Sequence, residues 1–345
     1  MRIHSTIVKN NITIIILTEA EVIVLYEDNE VNGIKKKSFR AVLYATQKMI
    51  NYFKSWSEIS FVDITYNLVK MALKVLLICN QDGNGYTHGV CLLANEQANT
   101  LKEVFTHFSA MYGDNACKNM KCIMTDKDLT EREVLKEVFP HVSLFICEFH
   151  VFKIFARTIT MSGINITSEQ KSAILDLLYK LVKSQSEESY DYWYLKFCDT
   201  ANVEVRTYFD DNWHPNRDEW TRYSLAKYNF GNYTNNPIES ANARMKDEIE
   251  LRSTLLAFAH SFFRFYDNRQ DAILFNQSKM LLKKPVHGFD KNLVAFAYQQ
   301  YLTPLGFNQV HTQLQRRNPM TPINVNEDER TWLIKCGFCV IIGQV

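Results

Sequence analysis

The sequence predicts a mixed α/β domain that is interrupted by an all-helical segment, and three observations support this prediction. Short runs rich in β-branched residues alternate with amphipathic helical patterns between residues 59 and 146. From about 151 to 230 the pattern becomes helical, poor in strands and rich in aromatic residues. Helical patterning then resumes from 237 to about 284. The chain is therefore expected to contain one α/β core and a large helical insertion.

The composition is that of a globular protein with nearly balanced charge. Apolar residues make up 46% of the 345 residues, so the chain can bury a core, which excludes disorder as the main state. The 39 basic and 38 acidic residues exclude a histone-like polycation, and any nucleic-acid contact must use a local basic face. The eight cysteines are scattered, which argues against a small disulfide scaffold. No apolar run approaches the roughly 20 residues that a bilayer span requires, so we expect a soluble, intracellular protein without a signal peptide.

Residues 1–55 are predicted to be an N-terminal region that contains strands. The Ile/Val-rich stretch from Ile12 to Tyr26 is typical of a β-strand. A basic run follows, Lys35-Lys36-Lys37-Ser38-Phe39-Arg40, and an amphipathic segment then extends to Lys54. The basic run is interpreted as a solvated loop in preference to a phosphate contact.

Residues 56–150 form the predicted core. Three strands are expected at Ile59–Tyr66, Lys74–Cys79 and Tyr86–Ala94, with a hairpin turn at 80–85. The pattern continues with a helix (Ala98–Tyr112), a strand (Cys122–Thr125), a helix stopped by Pro140 (Leu129–Phe139) and a strand (Val142–Ile146). Three hairpin-linked strands followed by α-β-α-β is the element order of an RNase H-like α/β domain, which has a mixed five-stranded sheet.

The rest of the chain divides into three predicted parts. Residues 151–232 are expected to be an all-α insertion, and 233–285 a helical return. Residues 286–345 are expected to be a C-terminal extension without a complete zinc finger, because Cys336 and Cys339 lack a partner pair.

Three acidic residues stand out by their placement. Asp63 lies in the first core strand, Asp126 ends the fourth, and Glu239 lies at the start of the helix after the insertion. In an RNase H-like sheet the first and fourth strands are neighbours, so two strand-borne carboxylates converge and a helical glutamate can complete the cluster. Such a cluster holds two Mg²⁺ or Mn²⁺ ions about 3.5–4 Å apart, because hard cations take oxygen ligands.

Structural explanations stay open for the same residues. Asp63 also fits a charge on an edge strand, and Asp126 fits a turn. Glu239 also fits a capping role, because Asn236 suits a helix N-cap and Pro237 the first helical position.

Asp128 is predicted to cap the helix that follows Asp126. Glu131, three residues on, is its expected capping-box partner. This capping role accounts for Asp128 and leaves Asp126 without a structural explanation.

Cys147 and His150 form a Cys-x-x-His pair with the spacing of metal ligands. A structural zinc site needs about four ligands, and no second pair lies nearby in the sequence. A buried cysteine that fixes the strand-to-helix junction is therefore favoured, and His150 either packs in the core or orients a catalytic carboxylate or phosphate.

Arg244 and Lys246 are the candidate DNA-contacting residues. They follow Glu239 by one to two turns on the same predicted helix. From 242 to 285 there are eight basic and five acidic residues, a local basic excess of three. A solvated helix face with ordinary ion pairs is the alternative.

Several strings, taken in order, resemble the domain of Mutator-like (MULE) transposases. They are Leu43-Tyr44-Ala45-Thr46-Gln47-Lys48-Met49, Phe61-Val62-Asp63-Ile64-Thr65-Tyr66, Ala94-Asn95-Glu96, Thr125-Asp126, Glu137-Val138-Phe139-Pro140, Cys147 with His150, and Thr234 to Asn242. Over about residues 40–285 the chain is most similar to the transposase-derived, RNase H-like domain of zinc finger SWIM domain-containing proteins.

The resemblance implies a DDE-type active site carried by Asp63, Asp126 and Glu239, with two Mg²⁺ (or Mn²⁺) ions, that cleaves and joins DNA strands. It implies a nuclear protein whose partner is DNA, with no membrane partner and no small-molecule cofactor, and it leaves self-association open. The family's N-terminal DNA-binding module and SWIM finger are not recognised here. The competing expectation is therefore a non-enzymatic nuclear protein that keeps the fold for DNA or protein contacts, and a third is a truncated element-encoded reading frame.

Overall fold

The structure, a computed structural model, describes most of the chain up to residue 282 and short pieces beyond it. The described residues are 3–9, 12–17, 20–31, 34–70, 73–80, 86–161, 166–225, 229, 231–282, 294–295, 298–299, 307, 310–312, 314, 325–326, 331–336 and 339–344. The chain divides into two compact units, Met1–Tyr266 and Asp267–Val345, which are described separately.

The first unit contains two sheets. An antiparallel pair, β1 (Ile3–Lys9) and β2 (Ile12–Leu17), comes first. A mixed sheet follows, built from β3 (Ala20–Val31), β4 (Ile34–Thr46), β5 (Ile59–Thr65), β6 (Lys74–Asn80), β7 (Tyr86–Leu93), β8 (Cys122–Thr125) and β9 (Ser143–Ile146). Its strand order is β3-β4-β7-β6-β5-β8-β9, and only β5–β8 and β8–β9 pair in parallel. The predicted α/β class is confirmed, with β5 inside the sheet.

The sheet has seven strands, where five were expected from the sequence. The two additional strands, β3 and β4, join at the β7 edge, and Ala41–Tyr44 of β4 pair with Val90–Leu93 of β7. The interpretation of the basic run as a loop is wrong, because residues 35–40 lie within β4, although Lys36 and Lys37 are exposed to solvent as expected. Arg40 is buried there, donating to Thr100 Oγ1 at 3.0 Å and pairing with Glu103 at 2.9 Å.

Helices α1 (Gln47–Ser55), α2 (Ala98–Tyr112), α3 (Asp114–Lys118) and α4 (Leu129–Val138) accompany this sheet. The apolar stripe predicted for α2 is buried, including Val104, Phe105 and Phe108. Phe108 meets Phe53 of α1 edge to face at 5.3 Å, so aromatic packing fastens both helices over the sheet. The hairpin turn was predicted at 80–85, but Asn80 still belongs to β6, and residues 81–85 lie outside the described residues.

Helix α4 begins at the predicted cap. The Asp128 side chain accepts a hydrogen bond from the Glu131 backbone N–H at 2.8 Å. Only this half of the expected capping box is described, and the Glu131 side chain is buried instead. Burial raises the pKa of the Glu131 carboxyl well above its ordinary value.

The insertion after β9 is helical throughout its described residues. It comprises α5 (Glu148–Met161), α6 (Ser168–Val182), α7 (Glu187–Thr200), α8 (Val203–Asn212), a 3₁₀ helix (His214–Glu219) and α9 (Arg222–Leu225). It has an aromatic core, in which Trp213 and Trp220 cross almost at right angles and the Trp220 indole N–H donates to the Trp213 carbonyl at 3.0 Å. The insertion therefore buries a core of its own.

The chain then returns in α10 (Asn236–Glu248) and α11 (Leu255–Leu282). The N-cap of α10 is Asn235 and not Asn236 as expected, with Pro237 in the first turn. The Asn235 side chain makes no cap, because it is directed to Asp126. The second unit contains a three-stranded antiparallel sheet of β10 (Val325–Asn326), β11 (Thr331–Cys336) and β12 (Cys339–Gln344).

Among the described helices, none has the length and apolarity that a bilayer span demands.

Candidate functional site

Asp63 and Asp126 lie near the carboxyl ends of two neighbouring strands, on the same side of the sheet's perimeter, because β5 and β8 run in parallel. Phe61 of β5 pairs with Met124 of β8, and each aspartate lies two residues further along its own strand direction. Because β5 is flanked by β6 and β8, the edge-strand explanation for Asp63 does not hold.

Glu239 reaches this edge because the start of α10 is fastened to the ends of β8 and β9. The Asn235 side-chain N–H donates to Asp126 Oδ1 at 3.0 Å, and its backbone N–H donates to Cys147 Sγ at 3.2 Å. The Glu148 backbone N–H donates to the Tyr233 carbonyl at 2.9 Å just upstream. Glu239 follows within the first turn of α10, beside the residues after β9.

His150 lies between two of the acidic residues. Its Nδ1 atom is 2.8 Å from Asp126 Oδ1, and its Nε2 atom is 3.9 Å from Glu239 Oε1. The interaction with Asp126, and next that with Cys147, raises the pKa of His150 to about 10. The imidazole is therefore cationic at neutral pH and links β8 to α10.

Asp63 carries a carboxyl group whose pKa is raised well above its ordinary value. Burial, and then the negative charge of Asp126, raise the pKa of Asp63 to about 7, and Glu239 adds a smaller effect in the same direction. The Asn242 side chain of α10 donates a hydrogen bond to Asp63 Oδ2. The structure thus brings the three predicted acidic residues into one neighbourhood, in which their charges act on one another.

Cys147 and His150 lie at the junction between β9 and α5. Cys147 is fully buried, and its backbone N–H donates to the Thr125 carbonyl at 3.1 Å, next to Asp126. Donor atoms of Cys147, His150 and Glu239 lie within 4.8 Å of one another. The pair that lacked further ligands in the sequence therefore has a third potential ligand in space.

Arg244 and Lys246 both lie on α10 but on different faces. At about 100° per residue, Lys246 lies about 20° around the helix from Glu239, and Arg244 lies about 140° away. The Lys246 side chain is exposed, whereas Arg244 Nε donates back to the Ser240 carbonyl at 3.1 Å. The other six of the eight basic residues between 242 and 285 are divided between the units. Arg252 and Arg264 belong to the first unit, Arg269 and Lys279 belong to the second, and Lys283 and Lys284 lie outside the described residues.

Asn235 and Asn242 are functional candidates that the sequence reasoning did not assign. Both are buried, and each donates its side-chain amide to one aspartate of the site. Their signal was present in the string from Thr234 to Asn242, which contributed to the resemblance without roles for its asparagines.

Residues 19–145 match a family model described as the RNaseH-like domain of zinc finger SWIM domain-containing protein 1/3. The match includes Asp63 and Asp126 and ends before Cys147, His150 and Glu239. No curated protein matches the chain.

Proposed function

Because residues 19–145 match the RNaseH-like domain of zinc finger SWIM domain-containing protein 1/3, we propose that the chain is a transposase-derived, DDE-type domain. It binds DNA and catalyses metal-dependent phosphoryl transfer at Asp63, Asp126 and Glu239. One observation carries the proposal. Asp63 lies in β5 and Asp126 directly follows the adjacent parallel strand β8, and Glu239 Oε1 lies 3.9 Å from Nε2 of the histidine that contacts Asp126.

The residues at this position fit a hard divalent cation. Asp63, Asp126 and Glu239 offer carboxylate oxygens, the ligands that Mg²⁺ and Mn²⁺ prefer. Mutual repulsion contributes to the raised pKa of Asp63, and a bound cation would relieve it. The Oδ1 atoms of Asn235 and Asn242 are buried without a hydrogen-bond partner among the described residues, so two more oxygens are available nearby.

The side chains around the carboxylates have separable tasks. Asp63, Asp126 and Glu239 would hold Mg²⁺ or Mn²⁺, which when bound activates the attacking oxygen and stabilises the leaving oxygen of a phosphodiester. Asn242 holds the Asp63 carboxylate, and Asn235 and His150 hold that of Asp126, so both aspartates are oriented before a substrate arrives.

DNA is the proposed partner and the nucleus the proposed location. The formal net charge of +1 leaves little long-range attraction for DNA, so contacts rely on a local face such as the one that carries Lys246.

The test is nicking of supercoiled DNA by the purified full chain with Mg²⁺, Mn²⁺ or a chelator. We expect cation-dependent nicking that falls at least about 100-fold in Asp63→Asn, Asp126→Asn and Glu239→Gln, because each change removes a charged ligand.

Asp128→Asn is the matched control for the nicking assay. It removes one negative charge two residues from Asp126, and asparagine still caps a helix, so nicking should persist. Equal nicking by the wild type and the three ligand variants would contradict the proposed active site.

A second candidate function is a non-enzymatic nuclear protein that uses the fold for DNA or protein contacts. The observation in its favour is that both aspartates already have protein partners, because Asn242 donates to Asp63, Asn235 donates to Asp126, and His150 forms an ion pair with Asp126. DNA binding by the wild type without nicking in either cation would favour this candidate.

A further inference from the structure

We infer that Cys147, His150 and Glu239 form a binding site for a thiophilic divalent cation such as Zn²⁺. The site differs in donor chemistry from the three-carboxylate site and shares one residue with it. Its binding of Zn²⁺ does not require the carboxylate site to be catalytic.

The three donor atoms are already close to the required separation. They lie within 4.8 Å of one another, whereas ligands around a tetrahedral Zn²⁺ with bonds of about 2.0–2.3 Å lie roughly 3.3–3.7 Å apart. Side-chain movements of about 1 Å close this gap. Glu239 can contribute to them, because 41% of its side chain is exposed.

The backbone makes this cluster from two distant segments. Cys147 and His150 are three residues apart across the start of α5, and the Val151 N–H donates to the Cys147 carbonyl at 3.0 Å, so helical geometry fixes their spacing. Glu239 comes from α10, whose preceding residue Asn235 donates its backbone N–H to Cys147 Sγ.

The surroundings resemble those of protein metal sites. A backbone N–H that points at a sulfur stabilises a thiolate ligand, and Asn235 supplies one. Ligation through Nε2 of His150 displaces the proton that this atom carries in the metal-free cationic imidazole, and it leaves the Nδ1 N–H facing Asp126, the carboxylate–histidine arrangement that orients metal-binding imidazoles.

The donor set selects the class of cation. Sulfur and imidazole nitrogen favour Zn²⁺ over Mg²⁺, and three protein ligands leave the fourth position for water or an anionic oxygen. The competition between the two cations rests on the proposed function. Zn²⁺ bound at this site takes Glu239 away from the Mg²⁺ ligands, so Zn²⁺ and Mg²⁺ compete for one glutamate.

The experiment titrates the purified, chelator-treated full chain with Co²⁺ and then displaces Co²⁺ with Zn²⁺. We expect one equivalent of Co²⁺ with an absorption band from thiolate-to-metal charge transfer, which Zn²⁺ abolishes. Cys147→Ser should remove the band, and His150→Ala and Glu239→Gln should each weaken Zn²⁺ binding at least about tenfold. Absence of the band in the wild type, or its persistence in Cys147→Ser, would overturn the inference.

Two variants control this experiment. Cys198→Ser removes a partly exposed cysteine on α7 and should leave the band unchanged. Asp63→Asn should bind Zn²⁺ normally while losing Mg²⁺-dependent nicking, so failure of one proposal is distinguishable from failure of the other. Should Cys147→Ser not fold, Glu239→Gln decides, and unaltered Zn²⁺ affinity in that variant refutes the site.

Discussion

His88 of β7 is an imidazole in a fully buried position among aromatic side chains. The ring of Phe53 meets it edge to face at 5.4 Å, and Tyr52 stacks on it at 6.4 Å. Burial lowers the pKa of His88 to about 3, against a smaller opposing effect of a hydrogen bond to the Cys79 backbone. His88 is therefore neutral in the folded protein, although in the unfolded chain it is protonated below about pH 6.5.

This difference makes the folded state sensitive to acid. Between pH 6.5 and pH 3, His88 is protonated in the unfolded chain but not in the folded protein. The free energy of unfolding therefore has its full value above about pH 6.5 and decreases as the pH falls through this range. From pH 7.5 to pH 5.5 we expect His88 to cost about 1 kcal/mol in the free energy of unfolding. Urea unfolding at the two pH values measures the loss.

The comparison chain for this measurement is His88→Leu. His150 and Asp63 have raised pKa values and contribute stability as the pH falls over the same range, so the wild-type change alone mixes opposing effects. The leucine variant keeps His150 and should therefore lose about 1 kcal/mol less than the wild type on acidification. Equal losses in the two chains would contradict a neutral, buried His88.

Single residues also show where the sequence is informative about the site. Asp63, Asp126 and Glu239 could be chosen because they lie in a recognisable strand, directly after one, and at the start of a helix. The roles of His150 and Asn242 could not, since they depend on contacts between residues far apart in the chain. Asn242 donates to an aspartate 179 residues away, and no local pattern encodes such a pairing.

At the scale of elements, the geometry of α10 determines which basic side chains can contact the phosphates of a DNA strand bound at the carboxylates. Lys246 is exposed and lies two turns beyond Glu239 on nearly the same face, whereas Arg244 is turned away and bonded to Ser240. We expect Lys246→Ala to flatten the log–log salt dependence of duplex binding by about 0.9, the value for one phosphate contact.

Arg244→Ala should change that slope less than Lys246→Ala does, and the double variant should change it by at most about two units. Fluorescence anisotropy over a salt series measures these slopes. An unchanged slope in the double variant would show that α10 does not contact the phosphates.

The elements themselves were predicted with uneven success, for physical reasons. Strands β5 to β9 and helices α2 and α4 have clear periodicity and lie close to their expected bounds. The sequence did not predict that β3 and β4 join this sheet, because they join it through pairing of β4 with β7, which lies about 50 residues further along the chain. The basic run misled because the charge of Arg40 suggested solvent, whereas α2 supplies it with Thr100 and Glu103.

At the scale of the whole first unit, Arg132 connects the core with the helical insertion. Its side chain is 5% exposed, and the guanidinium donates to Thr125 Oγ1 at 2.8 Å and to the Phe145 carbonyl at 3.3 Å. It also pairs with Glu219 of the 3₁₀ helix at 2.6 Å. One buried cation thus fastens β8, β9 and the insertion together.

Removing the partner of a buried cation is costly, so we expect Glu219→Ala to destabilise the chain by about 3 kcal/mol. The matched control is Glu187→Ala, because the Glu187–Arg217 pair lies in the same insertion and Glu187 is 62% exposed. That change should cost less than about 1 kcal/mol. Chemical denaturation compares the two, and equal effects would mean that Arg132 does not depend on the ion pair.

The 179 residues between Asp63 and its hydrogen-bond donor Asn242 also set an order of events during synthesis. At translation rates of about 5–20 residues per second, β5 leaves the ribosome roughly 10–35 s before α10 does. Over that interval Asp63 is without the amide that later holds it, and Asp126 is without Asn235. The helical insertion, made in between, has time to bury its own aromatic core first. The nascent chain thus acquires both asparagine donors only when Asn235 and helix α10 are synthesised, after the insertion.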